Sequence, residues 1–291
     1  EGADGNPASL RATRWFADLH ALVQIPSLQS LQFLRRASPA DKNKQDSQRF
    51  IGFGDPVLLG QANIRGAGGT RAKHDNLAQS DDGTAVSAFR DSRTRSGAGI
   101  ADITALRKMA RLPGTAQELE AMRIALNAPQ ASIFTAARAS ESNVRNADLS
   151  SVNIVALATH GLLAGEIHGA AEPGLVFTPP TEASENDDGL LTASEITGLK
   201  LNAEWVIMSA CNTAAGDGSE GAPGLSGLAR SFFYAGARNL LASHWPVRDD
   251  VAARITVRTI EIKRDSPELS RAEAFQRAMR EIRNDPSADS D

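Results

Sequence analysis

The sequence predicts an α/β fold in which a mostly parallel sheet is covered by helices on both faces. Predominantly apolar runs of strand length recur at 152–158, 204–210 and 239–245, which is how strands buried on both faces read. The segments between and after them carry apolar residues at helical spacing, and parallel neighbours need such crossovers.

Taken in order, "LHALVQIPSLQSLQFLRR" alternates up to Pro26 and then shows Leu28, Leu31 and Leu34 after Ser27, predicting strand, cap and helix. "RFIGFGDP" predicts a short strand closed by Gly54 and Pro56. Residues 60–100 are poor in large apolar side chains and rich in Gly, Ser, Asp and Arg, which predicts a poorly ordered insertion. In "LPGTAQELEAMRIAL", Thr115 and Glu118 have capping-box spacing, with Leu119, Met122 and Leu126 on one helical face. A strand at "ASIFTA" and a helix over 140–147 precede the run at 152–158, and Pro179-Pro180 interrupts the long loop that follows. Thr192 and Glu195 predict a second capping box ahead of a short helix. Helices are expected at 223–235, 248–264 and 271–283, and no internal repeat is visible.

The totals narrow the function. Thirty-one basic and 35 acidic residues leave a formal charge of -4, spread along the chain, so no nucleic-acid footprint or membrane patch is expected. No apolar stretch approaches the roughly 18 residues of a membrane span, and no signal peptide is visible, which predicts a soluble, cytoplasmic protein. One cysteine in 291 residues excludes an internal disulfide framework and a multi-cysteine zinc site. Because the chain opens on Glu1, it is expected to be part of a longer protein.

Two of the apolar runs end on chemistry. "VNIVALATHG" finishes on His160 and Gly161, and "EWVIMSACNT" reaches Cys211, the single cysteine. Open sheets of this kind gather their chemistry outside the carboxyl ends of the strands, so neighbouring parallel strands would present both side chains at one edge. An imidazole beside a thiol can remove its proton near neutral pH, and the imidazolium can then protonate a leaving amine. The backbone N–H groups of Gly161 and Cys211 are candidate oxyanion donors. Alternatively each residue is structural, since free cysteine is commonly buried and strand-end histidines are often satisfied polar caps.

Histidine precedes cysteine by 51 residues, close to the caspase-type order. The local words "ATHG", "EPGLVFTPP", "DDGLLTASEI", "LNAEWVIMSACNTAAG" and "GLARSFFYAGARNLLASHWPV", with "GFGDP" and "LPGTAQELEA" upstream, resemble the CHAT family, caspase-like domains associated with tetratricopeptide repeats. The resemblance runs from about residue 18 to 283. It implies a caspase-like three-layer α/β/α sandwich and a cysteine endopeptidase, with His160 as general acid/base and Cys211 as nucleophile. It also implies a protein or peptide substrate and regulation by tetratricopeptide repeats or another region. Such domains end on an apolar segment with a Trp-Ala-Pro-Phe word, where this chain reads "RNDPSADSD"; a terminal strand is therefore expected to be missing. The alternative is a catalytically silent scaffold of the same fold that binds a partner protein.

"GDGSEG" at 216–221 is a literal G-x-G-x-x-G, but Asp217 and Glu220 would face a pyrophosphate, so no cofactor is expected, nor a metal. A mobile loop over 212–222 is the better expectation. Glu195 is explained by capping; His168, in the loop after His160, could touch substrate but reads better as a solvated loop residue; His20 and His74 lack companions, and His244 falls inside an apolar strand, so these three are read as structural. Asp217, Glu220, Ser243, Trp245 and Arg248 are the candidate substrate-pocket residues. The segments 152–172, 203–229 and 239–247 hold no Lys or Arg but do hold Glu166, Glu172, Asp217 and Glu220. A pocket so bordered favours a basic or neutral residue over an acidic one before the scissile bond, unless Arg248 swings in.

Overall fold

The computed structural model describes residues 7–25, 49–61, 99–209, 227–243 and 249–285. In chain order its elements are α1 (Pro7–Ala12), α2 (Phe16–Leu19), β1 (Phe50–Gly54), α3 (Ile103–Arg107), α4 (Pro113–Ala125), β2 (Ile133–Thr135), α5 (Glu141–Asn146) and β3 (Ile154–Ala158). Then follow β4 (Gly161–Leu162), β5 (Gly174–Val176), β6 (Leu190–Thr192), α6 (Ala193–Gly198), β7 (Trp205–Met208), α7 (Gly227–Ala235), β8 (Leu240–Ala242), α8 (Asp249–Asp265) and α9 (Arg271–Arg283).

Five strands form one sheet in the order β2-β1-β3-β7-β8, and every pairing in it is parallel. The apolar runs follow from this, because side chains alternate between two faces that are both covered. Along β3, Val155 and Leu157 join Phe53, Val206 and Met208 in a core closed by Leu228 and Phe232 of α7. Ile154, Ala156 and Ala158 face the other way, into a core with Leu119 and Met122 of α4 and Ile260 of α8. The sheet is therefore the middle layer of an α/β/α sandwich. Gly54 is a glycine for packing reasons: a Cβ there would lie 2.7 Å from the carbonyl oxygen of Ala158 on the adjacent strand.

A second, antiparallel sheet, β4-β5-β6, leaves the carboxyl end of β3. Its strands are two or three residues long, too short for any periodic signal, and the sequence had predicted only a loop there. With α3 it encloses a small core of Leu58, Leu106, Leu162, Val176 and Leu190.

Four further expectations are corrected or lie outside the described residues. Residues 21–25 form no strand and Leu22 and Val23 are exposed; among the described residues the alternation has no strand to pair with, and the regular element here is the short helix α2. Thr115 and Glu118 form no capping box. The helix starts at Pro113, whose fixed φ suits the first turn, and Leu112 caps it without a side-chain bond. Thr115 instead donates to Leu112 O and accepts the N–H of Asp55. Of the insertion expected over 60–100, residues 62–98 lie outside the described residues, as does the helix expected after Ser27. The capping box of α6 is present, Thr192 and Glu195 each holding the other's backbone N–H.

Candidate active site

His160 stands where β3 has ended and β4 begins, and the chain is pinned on both sides of it. Thr159 is fully buried and its hydroxyl donates to the carbonyl of Val176. The His160 carbonyl accepts the Val176 N–H at 2.9 Å, and Gly161 then pairs in register with Leu175. A buried strand thus ends on a histidine because the backbone leaves the large sheet at that point to enter the small one. The imidazole is left partly exposed at the carboxyl edge.

The ring itself is oriented by a backbone group distant in sequence. Nε2 lies 2.7 Å from the carbonyl oxygen of Ala110. A carbonyl only accepts, so Nε2 carries the proton and in the neutral ring Nδ1 presents its lone pair. Ala110 is fixed in turn: it bridges to Gly60, whose N–H donates to Met109 O at 3.0 Å. The segment leading into α4 therefore forms a wall of the site, and with it come Lys108 and Arg111. Reasoning from the three apolar runs missed this wall, because the contact spans 50 residues and uses a carbonyl, which every residue possesses.

On the other side of β3, Leu157 and Met208 are register partners and the Ser209 N–H donates to Leu157 O at 3.0 Å. The chain of β7 thus accompanies β3 to its carboxyl end. Cys211 lies outside the described residues, as do Asp217, Glu220, Trp245 and Arg248. Ser243 directly follows β8 and is partly exposed at the same edge of the sheet, two strands from β3.

The acids expected to border the site are committed elsewhere where they are described. Glu166 accepts the Leu163 N–H at 2.8 Å. Glu172 accepts the backbone N–H and hydroxyl of Ser194, at 2.8 and 2.6 Å. Both carboxylates are thereby occupied in shaping loops. His168 and His20 are exposed, the latter against the ring of Phe16. A cavity of about 710 Å³ between α4, α8 and α9 is lined by neither His160, Ala110 nor Ser243, and is separate from this edge. Among the described residues no three His, Cys, Asp or Glu side chains gather as a metal site, and no described helix is long and apolar enough to cross a membrane.

The small sheet is braced from below by a buried carboxylate. Glu141 is 1 % exposed; its Oε2 accepts the N–H groups of Asp188 and Gly189 at 3.0 and 3.1 Å, and the Gly189 carbonyl accepts the N–H of Phe177, next to Val176. Burial is the main reason its pKa rises to about 7, with the charges of Glu195, Asp188 and Asp187 adding to the effect. Arg145 lies 3.2 Å from Glu141, which would lower the value, but it is shared with Glu195 at 2.9 Å and open to water, so desolvation prevails.

The family model of the CHAT domain matches residues 3–291. No curated protein matches the chain.

Proposed function

The chain belongs to the CHAT-domain family, a caspase-like, peptidase-related group whose fold agrees with the parallel sheet and flanking helices seen here, and from that premise we propose that it is a cysteine endopeptidase acting through His160 and Cys211. The observation that carries the reading is the fixed tautomer of His160. Its Nε2–H is held by Ala110 O, so in the neutral ring Nδ1 is the basic nitrogen, at the sheet edge toward which β7 runs.

In the proposed reaction the Cys211 thiol gives its proton to Nδ1, and the thiolate attacks the carbonyl carbon of the scissile peptide bond. The negative charge passes to the carbonyl oxygen, which backbone N–H groups stabilise; Gly161 and Cys211 are the assigned donors. As the C–N bond breaks, the imidazolium protonates the departing amine and a thioester remains. Water, deprotonated by His160, attacks the thioester carbon, releasing the new carboxyl terminus and restoring the thiol. Fixing the ring through Nε2 matters because a ring flip would present the other nitrogen, and tautomer exchange would put an N–H where the lone pair of Nδ1 is needed.

The substrate is a polypeptide, and the protein acts in the cytoplasm under the control of a tetratricopeptide-repeat or other regulatory region. Two measurements test the enzyme reading. Alkylation of Cys211 by an iodoacetamide probe should be fast in the wild type and slowed in His160→Ala. New protein termini should appear when the protein is added to a lysate, and Cys211→Ala or His160→Ala should each reduce their formation by several powers of ten. Undiminished cleavage by Cys211→Ala would rule the proposal out.

A further inference from the structure

Asp55 directly follows β1, the strand beside β3, and Gly54 is the register partner of Ala158. Asp55 and Thr159 are therefore the next positions along the two strands, and His160 follows. The backbone of Asp55 is in the left-handed region, φ 46°, and so is that of Ala136, φ 52°, the residue after β2. The Ala136 N–H donates to Asp55 O at 3.0 Å, and the Asp55 N–H donates to the Thr115 hydroxyl at 2.8 Å. Non-glycine residues in this region store strain, and such strain collects where a side chain must be aimed.

Both backbone groups of Asp55 are thus spent, while its carboxylate is not. Oδ1 is shut off from water and has no hydrogen-bond partner. A buried acceptor left so is costly and uncommon. Burial also moves the group toward its protonated form, against the opposing charge of Arg111; no described residue pairs with the carboxylate within 4.0 Å. A carboxylate held by its backbone, with an oxygen lacking a donor, at the edge that carries His160, is matched by a cationic side chain bearing N–H groups.

We propose that Asp55 is the specificity-determining carboxylate of the site and receives the lysine or arginine side chain that precedes the scissile bond. This rests on the peptidase reading and moves the recognition of charge from Glu166 and Glu172, both committed to loops, to the residue directly after β1. Arg111, on the same wall as Ala110, acts on the carboxylate through its charge alone, and an incoming cationic side chain takes over that role at hydrogen-bond distance.

The test uses peptides identical except for arginine, lysine, norleucine or aspartate before the cleaved bond, with the wild type and Asp55→Asn. Asparagine is nearly isosteric and tolerates a left-handed backbone, so the variant keeps the turn; its melting temperature checks this. The wild type should favour arginine and lysine, and the ratio of kcat/KM for arginine over norleucine should fall on the order of 100-fold in Asp55→Asn, the scale of losing one partner of a desolvated charge pair. Equal losses on all peptides, or none, would overturn the proposal. Calorimetric binding of the arginine and norleucine peptides to Cys211→Ala, with and without Asp55→Asn, separates the two readings. If no peptide is cut but arginine binds more tightly and Asp55→Asn abolishes the difference, the enzyme reading falls and Asp55 stands. If both peptides bind alike, Asp55 falls whatever the hydrolysis assay gives.

Discussion

Replacing Glu141 by glutamine should remove a definable part of the pH dependence of folding. The folded carboxyl titrates at about 7 against an ordinary value of 4.5, so between those values the unfolded chain has lost a proton that the folded one still binds. Stability falls wherever folding requires proton uptake and pH rises. The contribution of Glu141 is therefore unimpaired below pH 4.5, declines from 4.5 to 7 and is flat above. At about 1.4 kcal/mol per unit, the displacement is worth at most about 3 kcal/mol. Glutamine cannot ionise, and its amide oxygen can still accept the N–H groups of Asp188 and Gly189. Urea unfolding at intervals from pH 4 to 8 should show the difference between wild type and Glu141→Gln changing by about 3 kcal/mol in favour of the variant as pH rises. Taking the difference cancels the other carboxylates. Parallel curves for the two proteins would refute the reasoning, and would mean that Arg145, 3.2 Å away, keeps Glu141 ionised after all.

Thr159→Val should cost about 1–3 kcal/mol, because it strips the buried Val176 carbonyl of a donor; the same change should lower kcat by displacing His160, and an unchanged kcat would show that the ring is positioned by Ala110 alone. Thr192→Ala should cost about 1 kcal/mol through loss of the α6 cap while leaving the alkylation rate of Cys211 unchanged, since α6 packs against α7 and the cap lies between Thr192 and Glu195, not at His160 or Ala110. Its unfolding midpoint and its labelling rate are measured on the same sample.

What the sequence by itself determined was everything written in consecutive residues. The strands at 50–54, 154–158 and 205–208 were legible because burial on both faces demands a continuous apolar run, and the half-buried edge strand at 240–242 because it too is apolar throughout. The long helices were legible from their apolar stripes, and the α6 cap from two residues three apart. The placing of His160 at a strand end was legible for the same reason. Only the tertiary structure decided which partner the imidazole would take. Nε2 takes the Ala110 carbonyl, a group no side chain advertises, brought there by the clamp between Gly60 and Met109. It likewise decided that Thr115 serves Asp55 instead of capping α4, that Glu166 and Glu172 are spent on loops, and that β4, β5 and β6 pair at all. These are contacts between backbone or single side chains tens of residues apart, and a pairing of two or three residues has no period for a sequence to display. They are fixed by where the sheet edge brings the chain together, which is why the site's walls emerged only once the strands were laid side by side.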